Sequence, residues 1–215
     1  MCNKKAVWRG ELSAEQRVSK LDLVSGTFST QGDQILMNNL QTVVLGGGCF
    51  WCLEAVFDRM EGVTSVESGY MGGHIDNPTY RQVCNGDTGH VEVVRVTFDP
   101  AIVTFREILD VFFSIHDPTT LNRQGNDMGT QYRSAIFYST EEQYRESKKV
   151  IDELNAAKHW PNPIVTSLEP AAKFFVAENY HQEYFANNGN QPYCQFVVAP
   201  KVKKFEQKFA QKVKA

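Results

Sequence analysis

Apolar and polar positions fall into two rhythms along this chain, and the switches between them outline its elements. Val43, Val44 and Leu45 form an aliphatic run ending in Gly46, Gly47 and Gly48; Cys49 then opens a stretch of good helix formers through Phe57. That order predicts a strand, a tight turn and a helix N-terminus. Residues 62–70 predict a second strand, 71–80 a glycine-rich loop and 81–89 a further irregular stretch. Residues 91–98 alternate strictly, so Val94, Val96 and Phe98 share a face with Glu92 at its leading end. Thr104 and Glu107 form a capping box for a helix whose Phe105, Ile108, Leu109, Phe112 and Phe113 make an apolar stripe, ending before Asp117 and Pro118.

The pattern continues with a polar loop over 121–132, a strand over 133–139, and a helix over 141–158 capped by Thr140 with Gln143. Trp160, Pro161 and Pro163 break that helix, and 164–168 predict another strand. A short aromatic helix over 178–185, a flexible loop over 187–194 ending in Cys194, and a last helix over 201–212 complete the chain. Residues 1–41 show little periodicity beyond a helix capped by Ser13 and Gln16, and predict a partly irregular extension without assignable chemistry. Residues 42–215 then form a single domain. Strands mixed with helices without strict alternation favour an α+β fold, a two- or three-layer sandwich around a mixed sheet.

Composition narrows the function classes. At 215 residues with 42% hydrophobic and 22% charged residues, the chain is long enough to bury one substantial core. Its net charge of -3 gives nucleic acid no electrostatic footprint. The six lysines from Lys201 to Lys214 are interleaved with Val202, Phe205, Phe209 and Val213 at helical spacing, the mark of a solvated helix face. No run of about 18 apolar residues predicts a membrane span, and the start of the chain lacks the apolar core of a secretory signal. A cytoplasmic monomer is expected, in which the five cysteines rest as thiols.

The candidate chemistry centres on Cys49. At a helix N-terminus, unpaired N–H groups and the dipole favour a thiolate. Phe50 and Trp51 set apolar surfaces beside the sulfur, which suits an uncharged reacting group. The plainer reading of such a cysteine is a small buried hydrophobe. Cys52 completes a Cys-x-x-Cys pair that suits thiol exchange or half of a zinc site. The zinc reading is weak, because Cys84 with His90, and His181 with Cys194, lack ligand spacing; no metal and no cofactor is expected. Glu92, at the mouth of an apolar strand face, is poorly solvated and predicts a raised pKa. A strand-end glutamate turned to solvent is the alternative.

These blocks together resemble the A-type peptide methionine sulfoxide reductases. Gly48-Cys49-Phe50-Trp51 is similar to that family's active-site signature. Gly69-Tyr70, Asn77-Pro78-Thr79-Tyr80, Gly86-Asp87-Thr88-Gly89-His90 with Glu92, His116-Asp117-Pro118 and the stretch 124–134 follow in the family's order. The resemblance covers about 43–200. It implies an α+β sandwich on a mixed sheet with a ferredoxin-like core and extra helices, and reduction of the S epimer of methionine sulfoxide, peptide-bound or free, in repair of oxidised proteins. Cys49 is then the nucleophile and Glu92 the acid that protonates the departing oxygen, assisted by Tyr80 and Tyr132. Phe50 and Trp51 hold the S-methyl group, and Asp127 helps to fix the substrate. The resulting sulfenic acid is resolved to a disulfide that thioredoxin recycles. Cys194 resembles the resolving position and is favoured for it, with Cys52 receiving the disulfide in a second exchange; Cys52 stands where many members have glycine, which opens a shorter route. Cys84 reads as structural. A thiol-disulfide oxidoreductase using Cys49 and Cys52 alone, or a module that only recognises oxidised methionine, are the rival readings.

Overall fold

The computed structural model describes residues 40–214, so the helix expected after Ser13, and Cys2, lie outside the described residues. In chain order the elements are β1 (Gln41–Gly47), α1 (Phe50–Phe57), β2 (Val63–Met71), α2 (Tyr80–Asn85), β3 (Val91–Phe98), α3 (Phe105–Ile115), β4 (Arg123–Gln124), β5 (Asp127–Met128), β6 (Ser134–Tyr138), α4 (Glu141–Ala156), β7 (Ser167–Pro170), β8 (Phe175–Val176), α5 (Tyr184–Asn188) and α6 (Ala199–Lys208).

Six strands form one sheet in the order β7-β6-β1-β3-β2-β8, antiparallel except for the β6 and β7 pair. The central strands β6-β1-β3-β2, joined through α1 and α3, have the split β-α-β connectivity of a ferredoxin-like core. The alternation of β3 explains the layering. Val94, Val96 and Phe98 join Val43, Leu45, Ile136 and the apolar faces of α1, α3 and α6 in the main core. Val91 and Val93 face the other way, with Val44, Met71, Ala135 and Phe137 under Phe174.

The capping boxes do what their spacing predicts. The Thr104 side chain accepts from the Glu107 N–H while Glu107 accepts from Thr104, and Thr140 accepts from the Gln143 N–H. Four expectations need correction. Residues 81–89 are not all irregular: Thr79 and Gln82 form a third capping box that opens α2. The strand expected over 164–168 pairs only from Ser167 onward, because Ile164 and Val165 are drawn off to Asn155 and Pro118. The aromatic segment 178–185 is a single 3-10 turn, Asn179–His181, followed by α5, and Glu183 breaks it with φ at +52°. Residues 187–194 do not end in a flexible loop. Cys194 is fully buried and starts a π-type turn, Cys194–Val198, that runs straight into α6; the last helix thus starts before residue 201 and ends at Lys208, with a 3-10 turn after it.

The ladder between β1 and β3 ends at Leu45 opposite Val94. Beyond that point β1 pairs only with β6 and then turns into α1, leaving Glu92 beside the first residues of the helix. This is where the chemistry gathers.

Candidate active site

Cys49 is the N-cap of α1, one residue after a glycine that the turn requires. Gly48 has φ at +91°, and a Cβ there would meet the Gln124 side chain at 2.6 Å. Cys49 is 6% exposed, and burial pushes its thiol well above the ordinary cysteine range. The thiolate expected from the helix dipole is therefore corrected: an eight-residue helix supplies less stabilisation than desolvation removes. Cys52, one turn on and fully buried, behaves oppositely. The Cys49 thiol directed at it and the Lys201 ammonium pull it below the ordinary range, against its own burial.

Glu92 is 1% exposed, and burial pushes its carboxyl up to about 8. Its Oε2 accepts the Phe50 N–H at 3.2 Å, while its Oε1 has no hydrogen-bond partner among the described residues. At neutral pH it is an uncharged acid with one free oxygen, hydrogen-bonded to the backbone of the residue that follows Cys49. Burial, with the Glu92 charge second, raises both the Tyr80 and the Tyr132 phenol, so each remains a donor at any physiological pH. Asp127 accepts the Tyr193 hydroxyl at 2.7 Å.

Phe50 is fully buried, with its ring near Tyr70, Tyr80 and His181, whereas Trp51 is half-buried. Trp51 is clamped on two sides. Its Nε1 donates to His181 Nδ1 at 3.2 Å, and Tyr184 stacks on its face at 3.7 Å and 7°. Burial lowers the pKa of His181, which keeps the imidazole neutral and able to accept. Glu178 joins this wall to the acid side by accepting the Tyr70 hydroxyl and the Tyr80 N–H, both at 2.9 Å.

Cys194 is fully buried, and burial, with the Cys52 charge second, raises its thiol. Sequence reasoning missed Tyr193, His181, Tyr184, Glu178, Lys201 and Glu54. The available signal was the density of aromatic and polar residues over 178–193 without any helical period. A concavity of about 660 Å³ near Leu40, Phe105, Arg106 and Glu146 contains none of these residues.

The arrangement pairs a sulfur nucleophile with a neutral acid beside an apolar wall, the requirements for reducing a sulfoxide. The sequence profile described as peptide methionine sulfoxide reductase matches residues 41–213. The chain belongs to this family. Among members of the peptide methionine sulfoxide reductase family, the MsrA of Ralstonia nicotianae is 57% identical over 180 residues, 82% of this chain and 94% of that one. The MsrA of Saccharolobus solfataricus is 53% identical over 81% of this chain and 98% of its own length. Among solved structures of the family, reduced Mxr1 from Saccharomyces cerevisiae superposes with a TM-score of 0.67 at 37% identity, covering 73% of this chain and 90% of that one. Methionine sulfoxide reductase A of Corynebacterium diphtheriae gives 0.62 at 38% identity, covering 70% and 76%. Among the described residues no helix is long and apolar enough to cross a membrane, and no cluster of three His, Cys, Asp or Glu side chains is placed to hold a metal ion.

Proposed function

We propose that this chain reduces the S epimer of methionine sulfoxide, in peptides and free, with Cys49 as nucleophile and Glu92 as acid. The observation that carries the reading is the uncharged Glu92 carboxyl, tied by one oxygen to the backbone next to Cys49 and free at the other.

A sulfoxide oxygen leaves only when protonated, and a dry site resists the creation of separate charges. Glu92 meets both demands. It gives its proton to the oxygen as the Cys49 sulfur attacks the sulfoxide sulfur, and the carboxylate so formed takes the Cys49 thiol proton. Tyr80 and Tyr132 steady the oxygen with neutral O–H donors. In the adduct so formed the protonated oxygen passes from the methionine sulfur to the Cys49 sulfur as the new S–S bond opens, so methionine leaves with that electron pair and Cys49 keeps the oxygen as a sulfenic acid. Phe50 and Trp51 receive the methyl group, and Asp127, oriented by Tyr193, fixes the flanking substrate. With methyl and oxygen both placed, one configuration at sulfur fits.

Cys52 resolves first in this scheme. Its thiolate attacks the Cys49 sulfenic sulfur, hydroxide leaves and is protonated to water, and a disulfide joins Cys49 to Cys52. The Cys194 thiolate then attacks the Cys52 sulfur of that disulfide and Cys49 leaves as a thiolate, which takes up a proton. This reverses the order favoured from sequence, because a Cys194 fixed in a helical segment does not travel. Thioredoxin, or another dithiol, returns the Cys52–Cys194 disulfide to thiols, and a reducing compartment such as the cytoplasm suits that cycle.

The test is a single turnover without reductant on separate S and R peptide epimers, followed by disulfide mapping after acid quench. S-only turnover with a Cys49–Cys52 link early and a Cys52–Cys194 link late is the expected result. Loss of neither epimer, with the protein folded and reduced, overturns the reading; a direct Cys49–Cys194 link overturns the order of resolution alone.

A further inference from the structure

Glu54 takes no part in the scheme above, yet its carboxylate is 2% exposed and has no cation within ion-pair distance among the described residues. Burying such a group is costly unless donors surround it. They do: the Ser68 hydroxyl reaches Oε1 at 3.1 Å and the Tyr184 N–H reaches Oε2 at 3.3 Å. The donors come from β2 and from the corner that opens α5. Glu183 sits there in the left-handed region, which a side chain adopts only when its surroundings hold it. The preceding Gln182 is fixed to the same Ser68 through its N–H and its carbonyl. The following Tyr184 lies flat on Trp51, and Trp51 stands three residues before Glu54 on α1.

We propose that Glu54 is a positioning residue: its buried carboxylate ties the Glu183–Tyr184 corner to α1 and so holds the Tyr184 ring flat against Trp51, fixing the shape of the apolar wall that receives the substrate methyl group. The inference rests on the role given to Trp51 in the proposed function. Gln keeps the size of the side chain but has one acceptor oxygen in place of two and no charge to strengthen the bond from the Tyr184 N–H, so Glu54→Gln weakens the tether without emptying the site.

The test is a double-mutant cycle on kcat and KM for an S-sulfoxide peptide, with Glu54→Gln, Tyr184→Ala and the pair. Each single change raises KM by about fivefold to tenfold while kcat stays within about twofold, and the pair raises it no further than Tyr184→Ala alone. In a Trp8→Phe/Trp160→Phe background, the emission of Trp51 shifts to the red in both single variants. If Glu54→Gln does not fold, Ser68→Ala, which removes one donor, gives the same KM rise in smaller measure. An unchanged KM, a fall in kcat equal to the rise in KM, or additive effects in the pair overturn the proposal. Wild-type turnover of the peptide is the control: its absence overturns the proposed function instead.

Discussion

Among the described residues two carboxyl groups, Glu54 and Glu92, are buried without a cation against them, and they sit in unlike surroundings. Around Glu54 both oxygens are filled, by the Ser68 hydroxyl on one side and the Tyr184 N–H on the other. Around Glu92 one oxygen is filled by the Phe50 N–H and the other by nothing among the described residues. Burial is the largest cause that raises both, Glu54 to about 7 and Glu92 to about 8, so the shifted pKa does not separate them. Hydrogen-bond accounting does. A satisfied buried oxygen builds the wall, and an unsatisfied one next to a thiol is available for proton transfer.

The comparison is broken most directly at Glu92. Glu92→Gln keeps the bond from the Phe50 N–H but has no proton to give, so the single-turnover rate at pH 7 should fall by about 10²–10⁴-fold, read by quench-flow release of methionine. A fall no larger than that of Glu54→Gln would erase the distinction.

The next largest effect is on recycling. Cys52→Ser should still release one methionine per enzyme, yet lose most multiple-turnover activity with thioredoxin, while Cys194→Ser should slow it less with a small dithiol as reductant. Equal losses in both would mean that the two thiols act as one step. Lys201→Met, by removing the ammonium that favours the Cys52 thiolate, should slow disulfide formation without altering methionine release.

The pH profile sharpens the comparison further. The single-turnover rate should hold below about pH 8 and decline by up to tenfold per unit above it, as the acid form of Glu92 is lost. The smallest effect is on stability. Glu92 has a higher pKa folded than unfolded, so the folded chain binds the extra proton between about pH 4.5 and 8, and stability falls as pH rises through that window. Glu92→Gln should therefore raise Tm at pH 8 and leave it unchanged near pH 4, at about 2–4 °C per kcal/mol for a domain of this size, measured by calorimetry.

Much of this was legible in the sequence. The alternation of β3 put Glu92 on the inward face because the period of two leaves no choice, and the boxes at Thr104 and Thr140 marked helices by local hydrogen bonding that tertiary packing did not override. The Gly48–Cys49 turn was equally clear. What was hidden is long-range. Whether Cys49 ionises depends on how deeply the folded chain buries it, which its place at a helix start does not reveal. Gln191, Pro192 and their neighbours looked like a loop because turn-forming residues do not reveal that Val198, Val202 and Phe205 will anchor the segment that follows. His181 and Tyr184 escaped notice because their purpose is to touch a tryptophan 130 and more residues away.

That separation has a temporal side. Trp51 and His181 are 130 residues apart, so at ordinary rates of synthesis, about 5–20 residues per second, the growing chain carries Cys49 and Cys52 for roughly 7–26 seconds before the wall over them can exist. During that interval the two thiols of α1 meet cellular oxidants without the burial that suppresses Cys49 afterwards. The enzyme that erases oxidation from other chains passes through a stage at which its own reactive sulfurs depend on their surroundings to keep them reduced.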